Sequence, residues 1–168
     1  LAKEAILLAK RLAEAAPEPL KKVLLLNTGS EANEVGLKMA KMHTNRFEIA
    51  AIQRGYHGHT GGALSATFGS RRSGFGPLAP GSYAIPTPYC YRCPLSLTFP
   101  SCEYACAKLG FEMIDSQTVG KPAAFIAEPI LSGAGIVEPP PGYFQEIKRL
   151  CDQREMLLIL DEAQTGMG

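Results

Sequence analysis

The sequence predicts an α/β fold: a mostly parallel sheet with helices on both faces. Three observations carry this. Short apolar runs alternate along the chain with stretches of helical period, the order that builds βαβ units. The runs VLLL at 23–26, AAFIA at 123–127 and MLLIL at 156–160 are apolar throughout, as expected of strands covered on both sides. The 168 residues, 46% hydrophobic and 20% charged, are of ordinary globular composition and long enough to bury a sizeable core.

Taken in order, Leu1, Ala5, Leu8 and Leu12 space an amphipathic helix over 1–16, ended by Pro17. A strand is expected at 22–27. The turn Thr28-Gly29-Ser30 then opens a helix over 30–43, with Ser30 as its N-cap. A strand at 47–53 and a helix near 58–67 follow. The proline-bearing stretch 69–101 reads as irregular, and a helix is predicted over 102–117. The pattern closes with a strand at 123–129, a Gly/Pro-rich loop at 132–142, a helix over 142–153 and a strand at 156–161. The chain opens on Leu1 in mid-helix character and stops in a Gly-rich turn, which predicts a piece of a longer protein.

Net charge is +1, so nucleic acid and anionic membranes are not expected partners. No apolar run has the length of a bilayer span. The first twenty residues carry Glu4 and Glu14 among their basic residues and lack a small-residue cleavage site, so they read as a surface helix rather than a leader. A cytoplasmic location is expected.

In open α/β sheets ligands bind beyond the carboxyl ends of the strands. Those ends present Thr28-Gly29-Ser30, Tyr56-His57-Gly58, Glu128-Pro129 and Asp161-Glu162-Ala163-Gln164. The first is an anion site in the making: unpartnered helix N–H groups, the helix dipole, and a glycine that lets a ligand approach the backbone. An ordinary capped turn has the same residues, and neither GxGxxG nor GxxxxGK[ST] occurs. Tyr56, between Gly55 and Gly58, offers an aromatic face, unless its ring packs into the core. His57 and His59 are two apart and share no helix face, which argues against a metal pair. Asp161 ends a buried strand, where a carboxylate is costly without a partner. A cation at ~4 Å and an effective dielectric of about 20 would offset that by about 4 kcal/mol, enough to keep a weakly basic nitrogen protonated. Capping the following turn is the plainer role for the same side chain.

NTGSEANE at 27–34, YHG at 56–58, AEPI at 127–130 and LLILDEAQTG at 157–166, in this order, resemble the class III aminotransferases, pyridoxal-phosphate enzymes of the aspartate-aminotransferase fold. Within that group the stretches FIAEPILSGAGIVEPPPGY and KRLCDQREMLLILDEAQTG are most similar to the 2,2-dialkylglycine decarboxylase pattern. The resemblance implies that Thr28, Gly29 and Ser30 hold the cofactor phosphate and that Tyr56 stacks on the pyridine ring with His57 beside it. Asp161 would pair with the ring nitrogen, Gln164 would bond the phenolic oxygen, and Glu128 would lie on the substrate side. Small amino acids and 2-oxo acids would be the substrates, and the parent protein a homodimer or larger oligomer. None of the lysines follows Asp161, so the family's Schiff-base lysine is not in this chain. Residues 1–168 then correspond to part of the large, cofactor-binding domain, without the family's N-terminal segment, lysine region or C-terminal small domain. Such a piece would not turn over substrate alone.

Between transamination and decarboxylation, the loop Ser132-Gly133-Ala134-Gly135 is the discriminating place. Ser132 is the candidate substrate-side hydroxyl, and Gly133 replaces a second serine of the decarboxylase pattern, which favours transamination. Separately, Cys90, Cys93, Cys102 and Cys106 form C-x2-C and C-x3-C pairs, a weak candidate for a structural zinc site against the plainer reading of free thiols. A zinc-stabilised or non-catalytic binding module is therefore the rival function.

Overall fold

The computed structural model describes residues 2–69, 72 and 74–166. Leu1 of the predicted first helix and three positions of the 69–101 stretch lie outside them. Four parallel strands form one sheet in the order β2-β1-β3-β4, where β1 is Ile49–Ile52, β2 Ser82–Ile85, β3 Ala124–Ala127 and β4 Leu157–Leu160. Ile49 pairs with both Ser82 and Ala124, and Ala124 with Leu157, so the strands start level and end level. Their carboxyl ends therefore form one edge.

Helix α1 (Lys3–Ala15) precedes the sheet and buries none of its residues. Helices α2 (Gly29–Thr44) and α3 (Gly61–Ala66) cover one face, and α4 (Ala105–Gln117) and α5 (Tyr143–Asp152) the other. Strand alternation divides the core between them. Ala50, Ile52, Phe125 and Ala127 point to α4 and α5, meeting Phe111, Ile114, Ile147 and Leu150. Ile49, Ala51, Ala124 and Ile126 point the other way, to Leu37 and Ala40 of α2. In α5 the buried residues Tyr143, Ile147, Leu150 and Cys151 recur at helical spacing and make its inner stripe. Phe111 stacks on Phe125 at a centroid distance of 5.4 Å. Gly110 lets α4 lie directly on β2, since a Cβ there would stand 2.3 Å from Ile85 Cβ.

Four expectations are corrected. Residues 22–27 form no strand, and Leu24, Leu25 and Leu26 are 64%, 45% and 41% exposed. An apolar run signals a preference for burial, but a strand needs a neighbour for its N–H and C=O groups, and none pairs with it among the described residues. Strand β4 is not covered on both sides; it is an edge strand with Leu157 37% and Leu160 44% exposed. The stretch 69–101 contains β2, which is hidden in sequence because SYAI lacks an apolar run and is bracketed by Gly81 and Pro86. Helix α4 starts at Ala105 rather than 102, because Glu103 and Tyr104 hold positive φ and break the helical path. No helix among the described residues is long and apolar enough to cross a membrane.

Candidate functional site

Asp161 follows β4 directly, Glu128 follows β3, and Tyr56 and His57 follow the end of β1; the N-terminus of α2 meets them from the side. Together they line one cavity of about 230 Å3, which Thr28, Gly29, Ser30 and Gln164 also border. Of the predicted cofactor- and substrate-side residues, all but Ser132 reach this cavity.

The turn entering α2 differs from expectation in one respect. Its N-cap is Thr28, not Ser30: Thr28 Oγ1 accepts from Glu31 N at 3.2 Å, and the Glu31 carboxylate accepts from Thr28 N at 3.0 Å. Glu31 stands three residues after Thr28, which is the spacing of a capping box, so the cap moves there. Ser30 falls inside the first turn and its Oγ accepts from His59 N at 3.1 Å. The N–H groups of Gly29 and Ser30 have no partner among the described residues, and both residues line the cavity. Gly58 makes the approach possible. Its φ is +132°, and a Cβ on it would lie 2.1 Å from Ser30 Oγ.

Asp161 is only 8% exposed. Its Oδ2 accepts from Asn33 Nδ2 at 2.8 Å and lies 2.8 Å from His57 Nδ1, while Oδ1 accepts from Ala163 N at 3.1 Å. The turn-capping role is therefore real, and it coexists with a buried polar triangle. Burial pushes the carboxyl up, but the bonds from His57, Ala163 and Asn33 outweigh it and hold it below its ordinary range. An ionised Oδ2 accepts only, so His57 carries its proton on Nδ1. That ring is buried, and its Nε2 has no partner among the described residues.

Asn33 lines the same cavity and was not among the residues read from the sequence. Its Nδ2 carries two hydrogens, one on Asp161 and the other on His57 O at 2.7 Å. A signal was there: Asn33 stands four residues before Leu37 and seven before Ala40 on the buried stripe of α2. An amide on a buried stripe needs a buried partner.

Tyr56 is 40% exposed, so its ring borders the cavity and is not core. Glu128 is 6% exposed and fully engaged, accepting from Tyr56 N and from Ser132 N and Oγ. Ser132 meets the site only through that carboxylate.

Cys90, Cys93, Cys102 and Cys106 border one separate cavity of about 20 Å3 and are free thiols. Among the described residues no group of three or more His, Cys, Asp or Glu side chains is gathered to hold a metal ion, so the zinc spacing is not realised as a ligand set.

The cavity lining combines free backbone N–H groups at a helix start, a buried carboxylate held below its ordinary range and an aromatic side chain. Comparisons with known proteins identify the chain's relatives. The sequence profile described as "Aminotransferase class-III" matches residues 1–168. An uncharacterised aminotransferase of Schizosaccharomyces pombe is 46% identical over 96% of the chain, and the match spans 36% of that protein. An acetylornithine aminotransferase of Methanopyrus kandleri is 38% identical over 95% of the chain and 36% of its own length. Among solved structures, an amine transaminase from an uncultivated Pseudomonas species, in its PLP-bound form, superposes with a TM-score of 0.86 at 31% identity, over 100% of this chain and 40% of that one. The chain thus spans little more than a third of the length of these curated relatives.

Proposed function

Since the chain belongs to the class III aminotransferase family, we propose that it supplies the cofactor-holding part of a pyridoxal-phosphate enzyme that moves an amino group between small amino acids and 2-oxo acids. The observation that carries the reading is Asp161: an ionised carboxylate at a strand end, held by Asn33 and His57 and bordering the cavity. When bound, pyridoxal phosphate supplies an electron sink for the negative charge that develops at the substrate α-carbon. The chain's own residues fit that group. The partnerless N–H groups of Gly29 and Ser30, with the Thr28 hydroxyl, would take its phosphate. The Asp161 carboxylate would keep a proton on its ring nitrogen, because the bonds that lower its pKa also fix its charge. Tyr56 would cover one ring face and Gln164 would offer its amide to the phenolic oxygen.

In this reading residues 1–168 are part of the large domain of a longer cytoplasmic protein that works as a homodimer or tetramer, with the lysine that carries the cofactor elsewhere in that protein. Transamination is preferred over decarboxylation because Gly133 offers no hydroxyl and Ser132 Oγ donates to Glu128. The test is titration of the full protein with pyridoxal phosphate, followed by amino transfer from an amino acid to a 2-oxo acid. Binding that Asp161→Asn weakens, with amino transfer in the wild type, supports the reading. Failure of the wild-type protein to bind the cofactor overturns it.

A further inference from the structure

Glu128 is a buried carboxylate with no cation beside it: among the described residues it is in no ion pair. Three neutral donors satisfy it instead, and they come from two different loops. Oε1 accepts from Tyr56 N at 2.8 Å, in the loop after β1. Oε2 accepts from Ser132 N at 3.1 Å and from Ser132 Oγ at 2.8 Å, in the turn after β3. The loops also touch directly, since a Cβ built on Gly133 would lie 3.6 Å from Tyr56 Cβ. Adjacent parallel strands bring these loops side by side, but among the described residues no backbone–backbone bond joins one loop to the other. A carboxylate between them is suited to the task because it has two acceptor oxygens facing opposite ways; a glutamine has one.

We propose that Glu128 is a positioning residue that clamps Tyr56 and the Ser132 turn into one unit, so that the aromatic face of the site and its far wall keep a fixed separation. It acts through Tyr56 and Ser132, not by touching the substrate. The functional part rests on the aminotransferase reading; the clamp itself does not.

Two measurements on the full protein test it. The first is amide hydrogen exchange of the cofactor-free protein over residues 54–57 and 131–133. A bond to a charged acceptor contributes about 1.5–3 kcal/mol, so Glu128→Ala should speed exchange at Tyr56 and Ser132 together by roughly 10- to 100-fold. Glu128→Gln should release one of the two amides and keep the other, while Ser132→Ala leaves Tyr56 protected. Residues 125–127 should not change. The second is the circular dichroism of bound pyridoxal phosphate, read per bound cofactor. Glu128→Ala should at least halve that band at full occupancy, and Ser132→Ala should not; a residue that only adds stability would lower occupancy without altering the band. Unchanged exchange at either amide in Glu128→Ala, or faster exchange across all of β3, overturns the clamp. Should the wild-type protein bind no pyridoxal phosphate, the aminotransferase reading fails while the exchange result still decides the clamp.

Discussion

Asn33→Ala isolates the polar triangle under the site. The substitution removes one nitrogen that makes two buried bonds, to Asp161 Oδ2 at 2.8 Å and to His57 O at 2.7 Å. A bond to a charged acceptor contributes about 1.5–3 kcal/mol and a neutral one about 1 kcal/mol, so the loss should be about 2.5–4 kcal/mol in urea unfolding of the cofactor-free protein. A pH effect accompanies it. The Asp161 carboxyl is held below its ordinary range, so the folded state binds this proton less readily than the unfolded chain. Its contribution is complete above the unfolded value of about 3.9 and is lost as pH falls through the lower folded value. Removing Asn33 takes away one of the bonds that lower the carboxyl, so the folded value rises and this acid-labile part of the stability shrinks. Asn33→Asp gives the opposite pH signature: a second carboxylate faces Asp161, the variant is weaker than Asn33→Ala at pH 7, and it recovers part of the difference near pH 4 to 5, where the pair shares a proton. A loss below about 0.5 kcal/mol for Asn33→Ala, the size of an ordinary surface substitution, would refute the assignment. So would an Asn33→Asp variant with the same pH dependence as wild type.

Two further outcomes follow from geometry. Gly58→Ala combines a backbone angle that L residues rarely adopt with a Cβ 2.1 Å from Ser30 Oγ, so strain and overpacking together should cost about 2–5 kcal/mol. Urea unfolding reads this, and a loss under about 1 kcal/mol would mean that Gly58 does not lie against the first turn of α2. The Cys151 thiol is pushed up to about 12, chiefly by burial, and that of Cys106 to about 11 for the same leading cause. At pH 8 the thiolate fraction of Cys151 is then about one part in ten thousand, so an aromatic disulfide reagent should count this thiol only after urea is added.

The sheet's two central strands were legible because burial on both faces leaves no polar residue in AAI and AFIA, and sequence records burial well. Strand pairing is a different quantity. VLLL at 23–26 has the composition of a central strand and no partner among the described residues, while SYAI at 82–85 has a partner and too little apolar content to announce it. The strand-end rule brought Tyr56, Glu128 and Asp161 to one cavity without knowledge of any side-chain position; Thr28 borders it too, but at a helix start that no strand precedes. It says nothing of what lies beneath those residues. Asn33 was missed because it sits inside a helix, where its spacing from Leu37 had to be weighed and not only its neighbours in NTGSEANE. The N-cap was misplaced for a related reason: Ser30 looks the better cap alone, and only the Thr28–Glu31 pair decides between them.

The polar triangle joins residues 104 and 128 positions apart in the chain. Closing loops of that length is entropically costly, so contacts of this kind form after local helices and turns have appeared. Asp161 therefore acquires its partners only when α2, the loop after β1 and the edge strand β4 have all docked. The crevice is in this sense a timekeeper: a ligand that requires Asp161 ionised and fixed in place cannot bind a half-assembled sheet, and its capture marks the moment α2 and the end of β4 have met.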